Sequence, residues 1–155
     1  MINIMRKYSY NKITYLVLIS FFCILDQVSK NYINLNIDRL LNKDLFIFTI
    51  QFVRNYGAAF NIFSGSRLFL SFISIFSSLI LFYFIFIRDN KVINKYGLSF
   101  ILSGSIGNGL DRILNGYVID FIKIKFIDFP VFNIADIVIN IGVLILITGY
   151  LRHKN

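Results

Sequence analysis

The chain of 155 residues has one cysteine, one histidine (His153), one proline, no tryptophan and no glutamate. A single cysteine excludes an intrachain disulfide and a CxxC metal site. Because the single histidine lies two residues from the end of the sequence and there is one cysteine, we expect no Cys–His pair, Ser–His–Asp triad or zinc site. All eight acidic residues are aspartates. Any carboxylate chemistry therefore rests on those eight side chains.

The chain also has few charged residues and a large excess of apolar ones. Hydrophobic residues make up 57% and charged residues 15%, with a mean hydropathy of +0.70. Soluble domains average about 45–50% apolar and about 25% charged residues. A soluble fold of this length could not bury so much apolar surface, and disordered chains are far more polar. The composition predicts an integral membrane protein forming a single domain over residues 1–155.

Basic residues outnumber acidic residues by 16 to 8. Basic side chains commonly flank membrane spans, where they meet anionic lipid headgroups. The sequence contains no Lys/Arg cluster of the kind that binds nucleic acid. We therefore expect membrane lipids, and no nucleic acid, as partners of the basic residues.

Four segments are long and apolar enough to be membrane helices, which need about 20 residues. They are Ile13–Ile33, Leu68–Ile87, Tyr96–Arg112 and Val131–Leu151. Pro130 precedes the fourth and suits a helix start. The predicted fold class is an all-α membrane protein, a bundle of four transmembrane helices.

The loops on the outer side contain two strand-like patterns. Residues 45–53 form a β-prone run, and residues 121–126 (FIKIKF) alternate apolar and basic side chains. Such alternation is typical of a strand with one solvated face. We predict a small β platform formed by the outer loops at the membrane surface.

With four spans, both termini lie on the same side of the membrane. That side then carries eight basic residues in short segments, namely Arg6, Lys7, Lys12, Arg88, Lys91, Lys95, Arg152 and Lys154. The other side has a comparable number, spread over longer loops that also contain aspartates. Because Lys and Arg are enriched in cytoplasmic loops, we expect both termini in the cytoplasm.

Four carboxylates converge at one membrane level in this topology. Asp26 and Asp111 lie near the outer ends of the first and third spans, and Asp136 lies near the outer start of the fourth. Asp120 lies in the loop between the third and fourth spans. Ionisable residues within spans are functional candidates, because their burial in lipid is costly.

Two interpretations of these acids stay open. Asp26 and Lys30 have the i, i+4 spacing of a structural ion pair, and Asp111–Arg112 could form another. Asp120 and Asp136 are better candidates for chemistry. Two carboxylates in one partly buried site share a proton, so one can activate water while the other protonates a carbonyl oxygen. This aspartic-protease mechanism needs no cofactor and no metal.

Three alternatives are weaker. A Ser–Lys peptidase would use Ser29 and Lys30, but adjacent helical residues point about 100° apart. An Asp-only magnesium site would suit a membrane phosphatase, yet the sequence has no DxxD-type cluster. An ion or proton pathway would use intramembrane acids, but these lie at one level and do not run across the membrane.

Five blocks of sequence resemble lipoprotein signal peptidase, the bacterial type II signal peptidase of aspartyl peptidase family A8. In order they are DQVSK (26–30), NYGAAF (55–60), GNGLDR (107–112), VIDF (118–121) and FNIAD (132–136). Five blocks in order among four spans make a specific match that covers most of the chain. Ser105 stands where the family has a second glycine, and Phe129–Pro130 where it often has tryptophan. Neither departure affects a carboxylate.

The resemblance implies an endopeptidase of the bacterial cytoplasmic membrane, with its active site near the outer face. Its substrate would be a diacylglyceryl-modified prolipoprotein, cut before the lipid-modified cysteine. The catalytic pair would be Asp120 and Asp136. The substrate-binding or supporting residues would be Asp26, Lys30, Asn55, Gly57, Asn108, Arg112 and Asn133. The resemblance implies no cofactor, and we expect a monomer.

Overall fold

The computed structural model describes residues 2–58, 62–88 and 92–152, with the side chains of 2–11 and of Val92 left aside. Several residues named above lie outside the described residues, namely Lys91, His153, Lys154 and the end of the second sequence block, Ala59–Phe60. The side chains of Arg6 and Lys7 also lie outside them. The elements, in order, are α1 (Ile2–Leu35), α2 (Ile37–Leu40), β1 (Asp44–Leu45), β2 (Phe48–Asn55), α3 (Arg67–Phe86), α4 (Val92–Leu114), β3 (Val118–Ile124) and α5 (Ile134–Leu151).

The fold is mostly helical, and three described helical segments are long and apolar enough to cross a membrane. They are Lys12–Leu35 within α1, the whole of α3 and the whole of α5. The expected count of four apolar spans is not confirmed. The segment predicted as the third span is the 23-residue helix α4, which carries Lys95, Asp111 and Arg112 and fails this apolarity criterion.

Helix α4 lies at the centre of the bundle, in contact with α1, α3 and α5. Its small polar residues Ser99 and Ser103 are fully buried. A helix covered by other helices does not need an apolar surface toward lipid, because its polar groups bond within the protein. One apolar cluster of the bundle, formed by Tyr15, Ile19, Ile85 and Leu102, joins α1 and α3 to α4.

Small residues let α4 and α5 approach closely. A Cβ atom built on Gly142 of α5 would lie 2.6 Å from the Gly97 carbonyl oxygen and 2.9 Å from the Ile101 amide nitrogen. Real Cβ contacts are not this short, so no side chain fits at residue 142 without separating the helices. Near the end of the same helix, a Cβ atom on Gly149 would meet nothing closer than 3.4 Å.

We therefore expect Gly142→Ala to lower the free energy of unfolding by about 1–3 kcal/mol, as overpacking usually does. The matched change Gly149→Ala should cost little, since Ala is the better helix former and space exists for its methyl group. Thermal unfolding of the purified variants in detergent micelles measures both changes. Equal destabilisation by the two substitutions would contradict the close packing at Gly142.

The connections between α1 and α3 and between α4 and α5 form a three-stranded antiparallel sheet in the order β1–β2–β3, which confirms the predicted small sheet. The strand-like run 45–53 is divided by a turn at residues 46–47. The register pairs Val53 with Asp120 and Asn55 with Val118. Asp120 thus lies inside a strand and not in a loop, because β3 begins three residues earlier than the alternating pattern indicated.

Helix α5 begins at Ile134, three residues later than the predicted span. Phe132 is paired with Ile122 as an extension of the sheet, and its backbone is therefore extended. Asn133 is the N-cap, and it forms a reciprocal capping box with Asp136. Pro130 precedes the helix by four residues and is not its first residue. The helix start is set by the cap, whose side chain bonds an amide that lacks a helical partner.

Candidate active site

A buried cluster centred on Lys30 forms the base of the site. The Lys30 ammonium lies 2.8 Å from the Asp26 carboxylate and 3.0 Å from the Asp111 carboxylate. It also donates a 2.9 Å hydrogen bond to Asn108 Oδ1. Each of the three charged side chains is at most 3% exposed. All three protons of the ammonium have acceptors, so this charge is satisfied inside the protein.

The two carboxylates that flank Lys30 also hold the backbone of neighbouring elements. Asp26 Oδ1 accepts from the amide of Ala135, in the first turn of α5, at 2.9 Å. Asp111 Oδ2 accepts from the amide of Ile119, in β3, at 3.1 Å. Asp26 therefore ties α1 to the start of α5, while Asp111 fixes the strand residue next to Asp120.

Gly107 makes room for this arrangement. A Cβ atom on Gly107 would lie 2.5 Å from Asp26 Oδ2, so only glycine allows the carboxylate to reach Lys30 beside α4. The i, i+4 pair of Asp26 and Lys30 predicted from spacing is confirmed. The possible Asp111–Arg112 pair is not formed, because Asp111 pairs with Lys30 and Arg112 donates to the carbonyls of Asn108 and Gly57.

Asp120 is held by two amide side chains. Asn133 Nδ2 donates to its Oδ1 at 2.6 Å, and Asn55 Nδ2 donates to its Oδ2 at 2.9 Å. Asn55 ends β2, and the antiparallel register of β2 and β3 brings it beside Asp120. The Asp120 residue is 2% exposed. A carboxyl group so enclosed is fixed in orientation and has little contact with solvent.

Asp136 lies in the first turn of α5 and has its own two donors. Asn108 Nδ2 donates to Oδ1 at 2.8 Å, and the Asn133 amide donates to Oδ2 at 3.2 Å. In the described part of the chain, no Lys or Arg nitrogen lies within 4 Å of either Asp120 or Asp136.

Asn108 and Asn133 connect the cluster around Lys30 to the two carboxylates. Asn108 Oδ1 accepts from Lys30 and from Asn133 Nδ2, the latter at 3.1 Å, while its own amide nitrogen donates to Asp136. Asn133 donates both to Asn108 and to Asp120. Asp120 and Asp136 are thus joined through two amides that a buried lysine orients.

Arg112 clamps the loop that carries Asn55. Its Nη2 donates to the Gly57 carbonyl at 3.0 Å, and the Gly57 amide donates to Asn55 Oδ1 at 2.9 Å. Because this second bond uses Asn55 Oδ1, the side-chain nitrogen Nδ2 of Asn55 points toward Asp120. The Arg112 Nε is buried and has no partner among the described residues. The guanidinium lies at the site without neutralising either carboxylate directly.

Both carboxylates line one cavity of about 500 Å³. Its polar wall also contains Asn55, Asn108, Arg112 and Asn140. The rest is mostly apolar and includes Val118, Ile124, Phe129, Pro130, Phe132 and Ile137. A cavity that combines two carboxylates with a mostly apolar wall suits a peptide that carries apolar groups.

Burial raises the pKa of Asp120 to about 6, and repulsion from Asp136 adds to the rise, while the hydrogen bonds from Asn55 and Asn133 oppose it. The usual value for an aspartate is about 3.9. Asp120 is therefore half-protonated near pH 6, in the range where a carboxyl group can donate a proton to a substrate.

This raised pKa gives a pH signature for stability. The native protein binds the Asp120 proton more tightly than the unfolded chain does, so the contribution of Asp120 to stability falls as pH rises from about 4 to about 6. Because Asp120→Asn removes the titration, we expect the wild-type melting temperature to fall relative to that of the variant across this window. Melting curves of both proteins from pH 4 to pH 8 measure it. A constant difference across the window would contradict the raised pKa.

The structure joins the nine residues singled out from the sequence in one hydrogen-bonded network. They are Asp26, Lys30, Asn55, Gly57, Asn108, Arg112, Asp120, Asn133 and Asp136. Among the described residues, no group of three or more His, Cys, Asp or Glu side chains is placed to hold a metal ion. The Ser–Lys alternative finds no support, because Ser29 donates to the Asp26 carbonyl at 2.7 Å and Lys30 is fully engaged.

Sequence reasoning missed the contributions of Gln27 and Arg67. Gln27 Nε2 donates to Asp111 Oδ1 at 3.1 Å and to the Gly107 carbonyl at 3.1 Å, which bonds α1 to α4. Arg67 donates to the Arg112 and Ile113 carbonyls and so caps the end of α4. The position of Gln27 beside Asp26 in the first block could have indicated its role. Nothing in the sequence indicated the role of Arg67, since its partners lie 45 residues away or more.

The fold and the site together define a helical membrane protein with a paired-carboxylate cavity beside a small sheet. Comparison with known proteins places that class in one family. The sequence profile of Peptidase_A8, signal peptidase (SPase) II, matches residues 18–152. The chain belongs to the signal peptidase II family of membrane proteases.

Relatives and solved structures agree with this assignment. The lipoprotein signal peptidase of Clostridium tetani (strain Massachusetts / E88) is 39% identical over 140 residues, 85% of this chain and 88% of the relative. That of Lactococcus lactis subsp. cremoris (strain MG1363) is 32% identical over 145 residues, 92% and 97% of the two chains. A bacterial membrane enzyme solved by the in meso method at 2.3 Å resolution has a TM-score of 0.82 and 35% identity, covering 92% of this chain and 90% of that one.

Proposed function

We propose that this chain is the endopeptidase that removes signal peptides from diacylglyceryl-modified prolipoproteins, cutting the peptide bond before the lipid-modified cysteine. Membership of the signal peptidase II family supports the activity. The substrate class follows the relatives, which are lipoprotein signal peptidases. One observation carries the mechanism: Asp120 and Asp136 line the same cavity and are joined through Asn108 and Asn133, and no Lys or Arg of the described residues forms an ion pair with either of them.

In the proposed reaction the two aspartates share one proton. Asp136, at the start of α5, acts as the general base and removes a proton from a water molecule, whose oxygen attacks the scissile carbonyl carbon. Asp120, whose pKa of about 6 keeps a proton available, protonates the carbonyl oxygen. The tetrahedral intermediate then breaks at the C–N bond, and the leaving amine takes the proton held by Asp136. The hydroxyl proton returns to Asp120 as the new carboxyl group forms, so no cofactor or metal is required.

The supporting residues would keep this pair in position. Asn55 and Asn133 orient Asp120, and Asn108 orients Asp136. Arg112 holds Gly57 and thereby the loop that carries Asn55. Lys30 holds Asn108 through a hydrogen bond, and Asp26 holds the start of α5 through the Ala135 amide. In this proposal these residues set geometry and electrostatics, and the two aspartates alone exchange protons with water and substrate.

We further propose that α4 is a fourth span and that the protein is a monomer in the bacterial cytoplasmic membrane. Contact of α4 with the other three long helices supports its place inside the bundle. An even number of spans puts both termini on one side, and the basic residues in the short segments favour the cytoplasm. The dyad and the β platform then lie near the outer face, where a lipidated precursor enters from the bilayer.

Cleavage assays with a matched pair of precursors test this function. We expect the purified chain in micelles to cleave a diacylglyceryl precursor and to leave the same unlipidated precursor intact. A chelator should leave the rate unchanged, because two carboxylates activate the water. Cleavage of both precursors at equal rates would contradict the lipid requirement, and loss of activity in chelator would indicate a metal.

A further inference from the structure

Asn140 is a polar residue of α5 that the network of nine residues does not include. It lies one turn beyond Asp136, within the segment Ile134–Leu151 that is apolar enough to cross a membrane. It lines the same cavity as the two aspartates. Asn140 is exposed, and its side-chain amide group forms no hydrogen bond with any described residue. An amide group in an apolar span has a cost unless something bonds to it.

The position of Asn140 limits what that partner can be. Four residues along a helix correspond to about 6 Å, so Asn140 lies that far from Asp136 toward the middle of the span. One turn beyond it on the same face of α5 lies Leu144, which is 60% exposed and lies outside the cavity. This face of α5 therefore changes from carboxylate to amide within the cavity and then to exposed apolar surface beyond it.

The substrate of the proposed function shows the same order of groups. The scissile bond lies at the dyad, the glyceryl group on the adjacent cysteine follows, and the ester carbonyls mark the start of the acyl chains. Resting on that proposed function, we propose that Asn140 Nδ2 donates a hydrogen bond to an ester carbonyl of the diacylglyceryl group. The acyl chains then follow the exposed apolar surface of α5. Asn140 thereby contributes to selection of ester-linked lipid.

A comparison of two lipidated precursors tests this assignment. One carries the natural ester-linked chains, and the other carries ether-linked alkyl chains of the same length, which have no carbonyl oxygen. In Asn140→Leu, the ratio of kcat/KM for the ester to that for the ether precursor should fall roughly threefold to tenfold, the worth of a neutral hydrogen bond. Cleavage of the ether precursor should not change. Asn140→Gln, which keeps the amide, should restore part of the ratio.

Thr148→Val is the matched control. It also replaces a polar residue of α5 with an apolar one, but the Thr148 hydroxyl already donates to carbonyls of its own helix and does not line the cavity. The ratio should be unchanged in this variant. A ratio in Asn140→Leu equal to that of the wild type, or equal losses on both precursors, would overturn the assignment. Failure of the wild-type chain to cleave any lipidated precursor would instead refute the proposed function.

Discussion

Replacement of either Asp120 or Asp136 by Asn is expected to reduce cleavage of a lipidated precursor by about 10³-fold or more. General acid–base catalysis by one positioned group contributes about 10²–10⁴-fold, and the two carboxyl groups act on one water and one carbonyl. Both oxygens of each aspartate accept a hydrogen bond in the wild type. In each Asn variant an NH₂ group replaces one of these oxygens, so it faces a donor and that hydrogen bond is lost. Single-turnover assays with excess enzyme measure the loss.

Asp128→Asn is the control for these variants. The Asp128 side chain is fully exposed and forms its ion pair with Lys123 at the surface, so its neutralisation should leave the cleavage rate unchanged. Melting temperatures of all three variants show whether the fold is intact. If a folded Asp120→Asn or Asp136→Asn protein retained more than a few per cent of the activity, the dyad would be excluded.

The second large effect is expected from Lys30→Met, which should lower the free energy of unfolding by about 3–5 kcal/mol. Removal of one partner of a buried ion pair leaves an uncompensated buried charge, which is far more costly than the loss of the pair itself. Here two carboxylates, Asp26 and Asp111, lose their shared cation, and Asn108 loses its donor. Met matches Lys in length and apolar volume, so the charge is the main change.

Thermal and chemical unfolding in micelles measure this loss. Lys125→Met is the matched control, because Lys125 also bonds an aspartate, Asp44, but both side chains reach solvent. That substitution should cause little change. The triple variant with Asp26→Asn and Asp111→Asn added to Lys30→Met should recover much of the stability, because no unpaired charge is left. Lys30→Met stability equal to that of the wild type would show that the cluster is not the anchor of the site.

Local patterns predicted much of the architecture. The apolar runs of α1, α3 and α5 predicted helices because a membrane span consists of about 20 consecutive, mostly apolar residues. The Asp26–Lys30 pair followed from i, i+4 spacing, and the small sheet followed from alternation in residues 121–126. These features depend on neighbours a few residues apart, which the sequence displays directly.

Errors arose where the decisive partner was distant or where two signals competed. The apolar run at 96–112 did not show that α4 lies at the centre of the bundle, where its neighbours cover its small and polar residues. The capping box of Asn133 and Asp136 moved the start of α5 to residue 134, although the apolar run began earlier. A pair of Asp111 with the adjacent Arg112 was left open, yet the partner of Asp111 is Lys30, 81 positions earlier in the chain.

By itself, the amino-acid sequence determined that this is a membrane protein with long apolar helices, and it predicted that Asp136 lies near the start of one helix and Asp120 in the connection before it. Only the tertiary structure decided how they are connected. Asn55 reaches Asp120 through the register of β2 and β3, and Asn108 links Lys30 to Asp136 through the packing of α4 against α1 and α5. The physical reason is range: hydrophobic runs and helix spacing act within a few residues, whereas hydrogen bonds between elements exist only after the helices and the sheet have packed.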